Sequence, residues 1–233
     1  MAFDIYAGSF TRYYTRDWEN VAQRDAHIKG IAYEIVYAGG DPGPAPSARD
    51  VRETVIAWRN GINTSLAAHG VKNIDWSEED GGPYFTDRPG WNGYAGLLLW
   101  SAYAERPECT APYKLPKDWS DDPVYRSVTA ESQTPRYVTI LRTTVWLPGE
   151  FDFCFKFPGL VEDEVMIGSC KSLLGQLREL EQEPQRWGKP SLLHRIRSGD
   201  SVATEEAARE GHRCFSALAE RACEHGLPIV LSY

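Results

Sequence analysis

The chain of 233 residues has few cysteines, no long apolar run, no excess of basic charge and no familiar catalytic motif. Each absence removes a class of protein. The five cysteines lie at 109, 154, 170, 214 and 223. An odd, widely scattered set in a chain this long is no disulfide framework and points to a reducing compartment. The longest core-like apolar run is Leu97-Leu98-Leu99-Trp100, far below the roughly 18 residues of a membrane span. Met1-Ala2-Phe3-Asp4-Ile5-Tyr6 has neither the basic nor the apolar region of a secretory signal. Lys and Arg number 25 against 33 Asp and Glu, a net charge of −8, so the molecule as a whole repels phosphate. A cytoplasmic protein without nucleic-acid or membrane partners is expected. HExxH, CxxC, EF-hand, Walker, GxGxxG and GxSxG patterns are all missing, and neither metal nor cofactor is expected.

What is present is a globular composition, 42% hydrophobic and 12% aromatic. Phe3 to Ala7 alternates as a strand. Thr15 to Lys29 reads as a helix stopped by Gly30. Ile31 to Tyr37 reads as a strand, and the prolines and glycines of 39–46 as a loop. Ser47 with Asp50 resembles a capping box opening a helix. In it, Val51, Val55, Trp58, Ile62 and Leu66 share one face. Trp91 to Arg106 reads as a buried helix, and 122–131 as a short one. Arg136 to Leu147 carries the strongest strand pattern. With Phe151, Phe153, Phe155 and Phe157 on one face of the next segment, it predicts a hairpin. A strand at Val165 to Ile167, helices over 170–183 and 201–225, and a strand from Leu227 to Ser232 complete the order. Pro228 suggests an edge position for the last strand. The order predicts one α+β domain over 1–233, with a mixed or mainly antiparallel sheet under helices. Irregular insertions are expected at about 73–90 and 107–123.

Individual residues offer little chemistry. His212-x-Cys214 and Cys223-x-His225 lie on one predicted helix, where 11 residues at about 1.5 Å each hold the pairs too far apart for one ion. Cys170, after Gly168-Ser169 at a helix start, has the position of an activated thiolate, with His194 as a base. A capped helix with a small buried cysteine is the plainer reading. Arg12, Tyr13, Tyr14 and Arg16 follow the first strand, where loops bind ligands. They would grip an anion, or simply connect two elements.

Charge distribution says more. Between Asn73 and Asp122 ten acids face four bases, so three quarters of the net charge lies in fifty residues. The segment also holds Trp76, Tyr84, Phe85, Trp91, Trp100 and Trp119. Aromatics anchor interfaces and carboxylates steer encounter with a basic partner. The expected contact set is Asp75, Trp76, Glu78, Glu79, Asp80, Tyr84, Asp87, Trp91, Trp119, Asp121 and Asp122.

This cluster, together with Tyr137 to Phe157 and Val165-Met166-Ile167-Gly168-Ser169-Cys170, resembles the immunity proteins of bacterial toxin systems. The resemblance is one of composition and style and carries no individual residue over. It implies a small acidic protein that binds a basic protein such as a toxin and inhibits it. The alternative is an enzyme of an unrecognised class, its site near the first strand or at the Gly168–Cys170 helix start.

Overall fold

The computed structural model describes residues 3–33, 43–130, 134–184, 186–189 and 202–233. Strand β1 (Asp4–Ala7) leads to a short helix α1 (Phe10–Tyr14), then α2 (Val21–Lys29) and the long α3 (Ala48–Ala67). Strand β2 (Phe85–Asp87), the apolar helix α4 (Gly90–Ala104), a 3-10 turn (Trp119–Asp121), α5 (Pro123–Ala130) and α6 (Val138–Leu141) follow. The chain closes with β3 (Val145–Leu147), β4 (Phe155–Phe157), β5 (Val165–Ser169), α7 (Cys170–Gln182), α8 (Thr204–His225) and β6 (Ile229–Ser232).

The six strands form one mixed sheet in the order β2-β1-β6-β3-β5-β4. Only β3 and β5 run parallel; every other neighbouring pair is antiparallel. Both faces of the sheet are covered, and the two-residue period of the strands sorts their side chains between two helical layers. Phe3, Ile5 and Ala7, Trp146, and Ile229 and Leu231 pack against α4, α7 and α8. Tyr6, Val145, Leu147, Ile167 and Val230 point the other way, onto α1, α3 and the Ile74–Trp76 segment. This is a single α+β domain with helices on the sheet.

Within the first layer α4 and α8 lie very close. A Cβ on Gly96 would stand 2.5 Å from the Ala208 nitrogen, and one on Gly211 would strike the Gly93 carbonyl. Small residues thus let two helix backbones touch, and this explains why α4 is apolar around most of its circumference.

Several expected elements are differently built. Helix α2 covers only the second half of 15–29, because α1 ends at Tyr14 and the chain turns before Asn20 caps α2. The proposed strand at 31–37 has no ladder at 31–33, and the rest lies outside the described residues, as does His194. The hairpin is absent. Val138–Leu141 is helical, since Gln176 of α7 accepts the Thr139 and Ile140 N–H groups at 3.0 and 3.3 Å. Glu105 takes the Tyr137 N–H at 2.7 Å. These side chains satisfy a helix N-terminus, and burial of the whole turn outweighs its β propensity. Strand β3 then pairs with β5 and β6, leaving β4 to pair with β5 alone. Finally, β6 is central: Pro228 precedes its ladder, so the missing N–H costs nothing, and its carbonyl accepts Gly8 N–H at 3.1 Å.

Candidate functional site

The end of β1 sets the geometry of one corner of the molecule. Gly8 allows the chain to turn beneath Tyr6 and Tyr84, whose atoms a Cβ would overlap. Ser9 caps α1 by accepting the Arg12 N–H at 3.3 Å. The carboxylate of Glu78 takes the Phe10 and Thr11 N–H groups at 3.1 and 2.7 Å and also receives the Trp76 Nε1–H. A helix of one turn is marginal alone. Here its exposed donors are met by a side chain 67 residues further along the chain, which pins it to the segment around Trp76 and Glu78. At its other end Arg16 is the one described non-glycine residue with positive φ, at 59°. That is the left-handed exit usually given to glycine.

Between α1, the start of α2, the first turns of α3 and the Leu160–Glu162 loop lies a hollow of about 770 Å³. This is within the usual range for ligand sites. Tyr13, Tyr14 and Trp18 supply aromatic surface, with Tyr13 and Trp18 stacked at 5.7 Å and 17°. Val51, Val55 and Leu160 supply aliphatic surface. Burial, reinforced by the nearby Glu162 charge, raises the Tyr14 phenol above its ordinary value. Burial likewise raises Tyr13, whose hydroxyl donates to the Leu231 carbonyl at 3.3 Å. Both rings are therefore neutral at physiological pH.

The charged lining is uneven. Asp4 is held by Arg88 through two bonds of 2.6 and 3.0 Å. Arg16 donates to the Gly43 carbonyl at 3.1 Å. Asp50 and Glu162 are exposed and have no cationic partner among the described residues. Ser47 makes no capping bond, so the expected capping box is not formed and the Asp50 carboxylate is left at the hollow's edge. A second depression of about 300 Å³ shares Pro46 with the first and carries Arg12, Asp17, Glu79 and Asp80 on its walls, with Arg12 3.5 Å from Asp17. Thr11 also lines it. This residue is 2% exposed, and its hydroxyl has no hydrogen-bond partner among the described residues.

The residues expected to form one contact surface do not share a face. Asp75, Trp76, Glu78, Glu79 and Asp80 belong to the α3 layer. Trp91, Trp119, Asp121 and Asp122 belong to the α4 and α8 layer, beyond the sheet. Trp76 is 5% exposed, under the Arg59 guanidinium at 5.1 Å, and Glu78 is 6% exposed. Asp122 is 8% exposed, where it accepts from Val124 N, Tyr125 N and the Tyr103 hydroxyl at 3.0, 3.0 and 3.1 Å. These three are architectural, since each is consumed by a buried polar contact.

Of the rest, Asp75 pairs with Arg59 at 2.5 Å, Asp80 with Arg52 at 2.6 Å and Asp121 with Arg126 at 3.9 Å. Tyr84 lies beside Tyr6 with Arg12 over its ring at 5.0 Å. Asp87 is on the edge strand, 3.8 Å from Arg213. Trp91 packs on Phe3 at 4.8 Å, and Trp119 on Tyr125 at 5.2 Å. Glu79 is exposed without an ion pair.

The sequence left Tyr13, Tyr14 and Arg16 between an anion grip and a connector, read Asp50 as part of a cap, and gave no direct sign that Trp18 and Glu162 line a hollow. The signal that would have found them is the tyrosine pair directly after a strand, together with the unbroken acids Glu162-Asp163-Glu164. Cys170 is fully buried, its thiol bonded to the Trp146 and Leu227 carbonyls, and burial pushes its pKa well up. It is not an accessible thiolate. His212 is likewise engaged, with Nε2 at 2.9 Å from the Leu177 carbonyl. Among the described residues no helix is long and apolar enough to cross a membrane. Comparison with family models, with curated proteins and with solved structures finds no match.

Proposed function

We propose that this chain is an immunity-like inhibitor that binds a basic protein, such as a bacterial toxin, and occludes it. It would act in the cytoplasm, in keeping with five unpaired cysteines. One observation supports the reading above others. Two adjoining depressions on the α1 and α3 side combine aromatic surface with exposed carboxylates, and among the described residues Asp50, Glu79 and Glu162 make no ion pair, although Arg16 and Arg12 also line the two depressions. Unpaired rim carboxylates raise the rate of encounter with a positive partner, while rings that bury large area hold it. The surface keeps Glu79 and Asp80 from the acidic stretch and draws its remaining residues from Asp4, 9–23, 46–55, 160–162 and Ser232.

The test is growth rescue with the protein encoded beside this one. Expressed alone, that neighbour should arrest growth. Co-expressed wild-type chain should restore it, and a chain carrying Asp50→Lys, Glu79→Lys and Glu162→Lys should not. Arrest that wild-type chain fails to relieve would overturn the proposal. A second reading, an enzyme with its centre in the same hollow, rests on the hollow's size. Its lining offers two neutral tyrosines and the carboxylates as acid–base groups.

A further inference from the structure

The larger hollow has a composition that selects one kind of occupant. We infer that it is a socket for an organic cation of side-chain size, delivered by an arginine or lysine of the partner. This rests on the inhibitor reading for the source of the cation, though not for the chemistry of the site.

Three observations converge. The aromatic lining is electron-rich and uncharged: Tyr13, Tyr14 and Trp18 line the hollow, and both phenols, whose ordinary pKa near 10 burial raises further, are protonated at neutral pH. Cations bind the faces of such rings, and more strongly where water is partly excluded. The aliphatic wall of Val51, Val55 and Leu160 suits the methylene stem that both basic side chains carry below the charge. The ionic groups favour the same sign. Asp4 is neutralised by Arg88, and Arg16 contributes one positive charge from an exposed position bound to the Gly43 carbonyl. Against it stand Asp50 and Glu162 on the rim; in the adjoining depression Arg12 pairs with Asp17 and Asp80 with Arg52, which leaves the charge of Glu79.

The neighbouring depression adds an independent sign of a binding surface. The Thr11 hydroxyl, buried beside it without a partner, is an unsatisfied polar group of the kind that an incoming donor or acceptor would complete. An acidic rim over an aromatic and aliphatic floor matches an alkylguanidinium or alkylammonium: charge at the mouth, stem along the wall. An anion would meet Arg16 but also both carboxylates.

The experiment titrates the full chain with N-butylguanidinium and, separately, with its neutral isostere N-butylurea, by calorimetry and by Trp18-sensitive fluorescence. Saturable millimolar or tighter binding of the cation is expected, with the urea at least about tenfold weaker. Glu162→Gln and Asp50→Asn should each weaken the cation severalfold. Both positions are exposed, so their unfolding midpoints should match the wild type. Glu179→Gln, remote and paired with Arg136, should bind as wild type. Equal affinity for the urea, or no saturable binding of the cation, overturns the socket. Growth rescue retained alongside a hollow that ignores the cation removes the socket and leaves the inhibitor reading standing. A hollow that binds the cation, with partner affinity lost in Glu162→Gln, supports both.

Discussion

A carboxylate that is 6% exposed and accepts three N–H groups differs chemically from one in solvent, although both are glutamates in one acidic run. Glu78 and Glu79 are adjacent, yet the first ties α1 to the Trp76 segment and the second faces water. Replacing Glu78 by Gln exchanges one acceptor oxygen for a donor facing N–H groups, and hydrogen bonds to charged groups contribute about 1.5–3 kcal/mol. Glu78→Gln is therefore expected to cost about 2 kcal/mol, read as a midpoint lowered by roughly 5 °C in thermal unfolding. Glu79→Gln should leave the midpoint within about 0.5 kcal/mol of wild type. Composition alone cannot separate these two residues. What separates them is a contact across 67 residues of chain, to the N-terminal turn of α1. The same holds for Asp122, which a cap-and-tyrosine contact takes out of the solvent-facing acids.

At the level of elements, the helices were the more readable part. Val55, Ile62 and Leu66 of α3 sit where their spacing puts them, in the core, and Leu173, Leu177 and Leu180 of α7 do the same. A helix repeats its buried face every three or four residues, so its own sequence carries the pattern. The misread elements are those whose partners are distant. Val138–Leu141 forms a helix because Gln176 and Glu105 reach it, and β6 is central because β1 and β3 flank it. Neither fact has a local trace. The contact of α4 with α8 makes a sharper prediction. Gly96→Ala would drive a Cβ into the Ala208 backbone and should destabilise the fold by about 3 kcal/mol. Gly175→Ala, at an exposed site of α7 with nothing within 4 Å, should stabilise it by about 1 kcal/mol. Urea unfolding of both variants checks the pair: equal shifts would contradict the close packing described.

Across the whole molecule, the sheet divides what the sequence presents as a single acidic and aromatic stretch, and it also hides many tyrosines. Burial raises the phenols of Tyr6, Tyr13, Tyr14 and Tyr94 above the ordinary value near 10 and brings Tyr137 to about 12. The native state then holds these protons after the unfolded chain has released them. Stability is accordingly full below about pH 10 and falls as pH rises past it toward the native values. Absorbance at about 295 nm should show these tyrosines ionising together with the loss of circular dichroism; early ionisation in folded protein would contradict their burial. The same division makes the proposed docking surface testable. Association rates with the proposed basic partner, measured across a salt series, decide between the two sides of the sheet. The account predicts that Asp50→Lys with Glu79→Lys and Glu162→Lys slows association by about tenfold at low salt and flattens its salt dependence, whereas Asp118→Lys with Asp121→Lys changes little. Slowing confined to the second set, or absent from both, would contradict it.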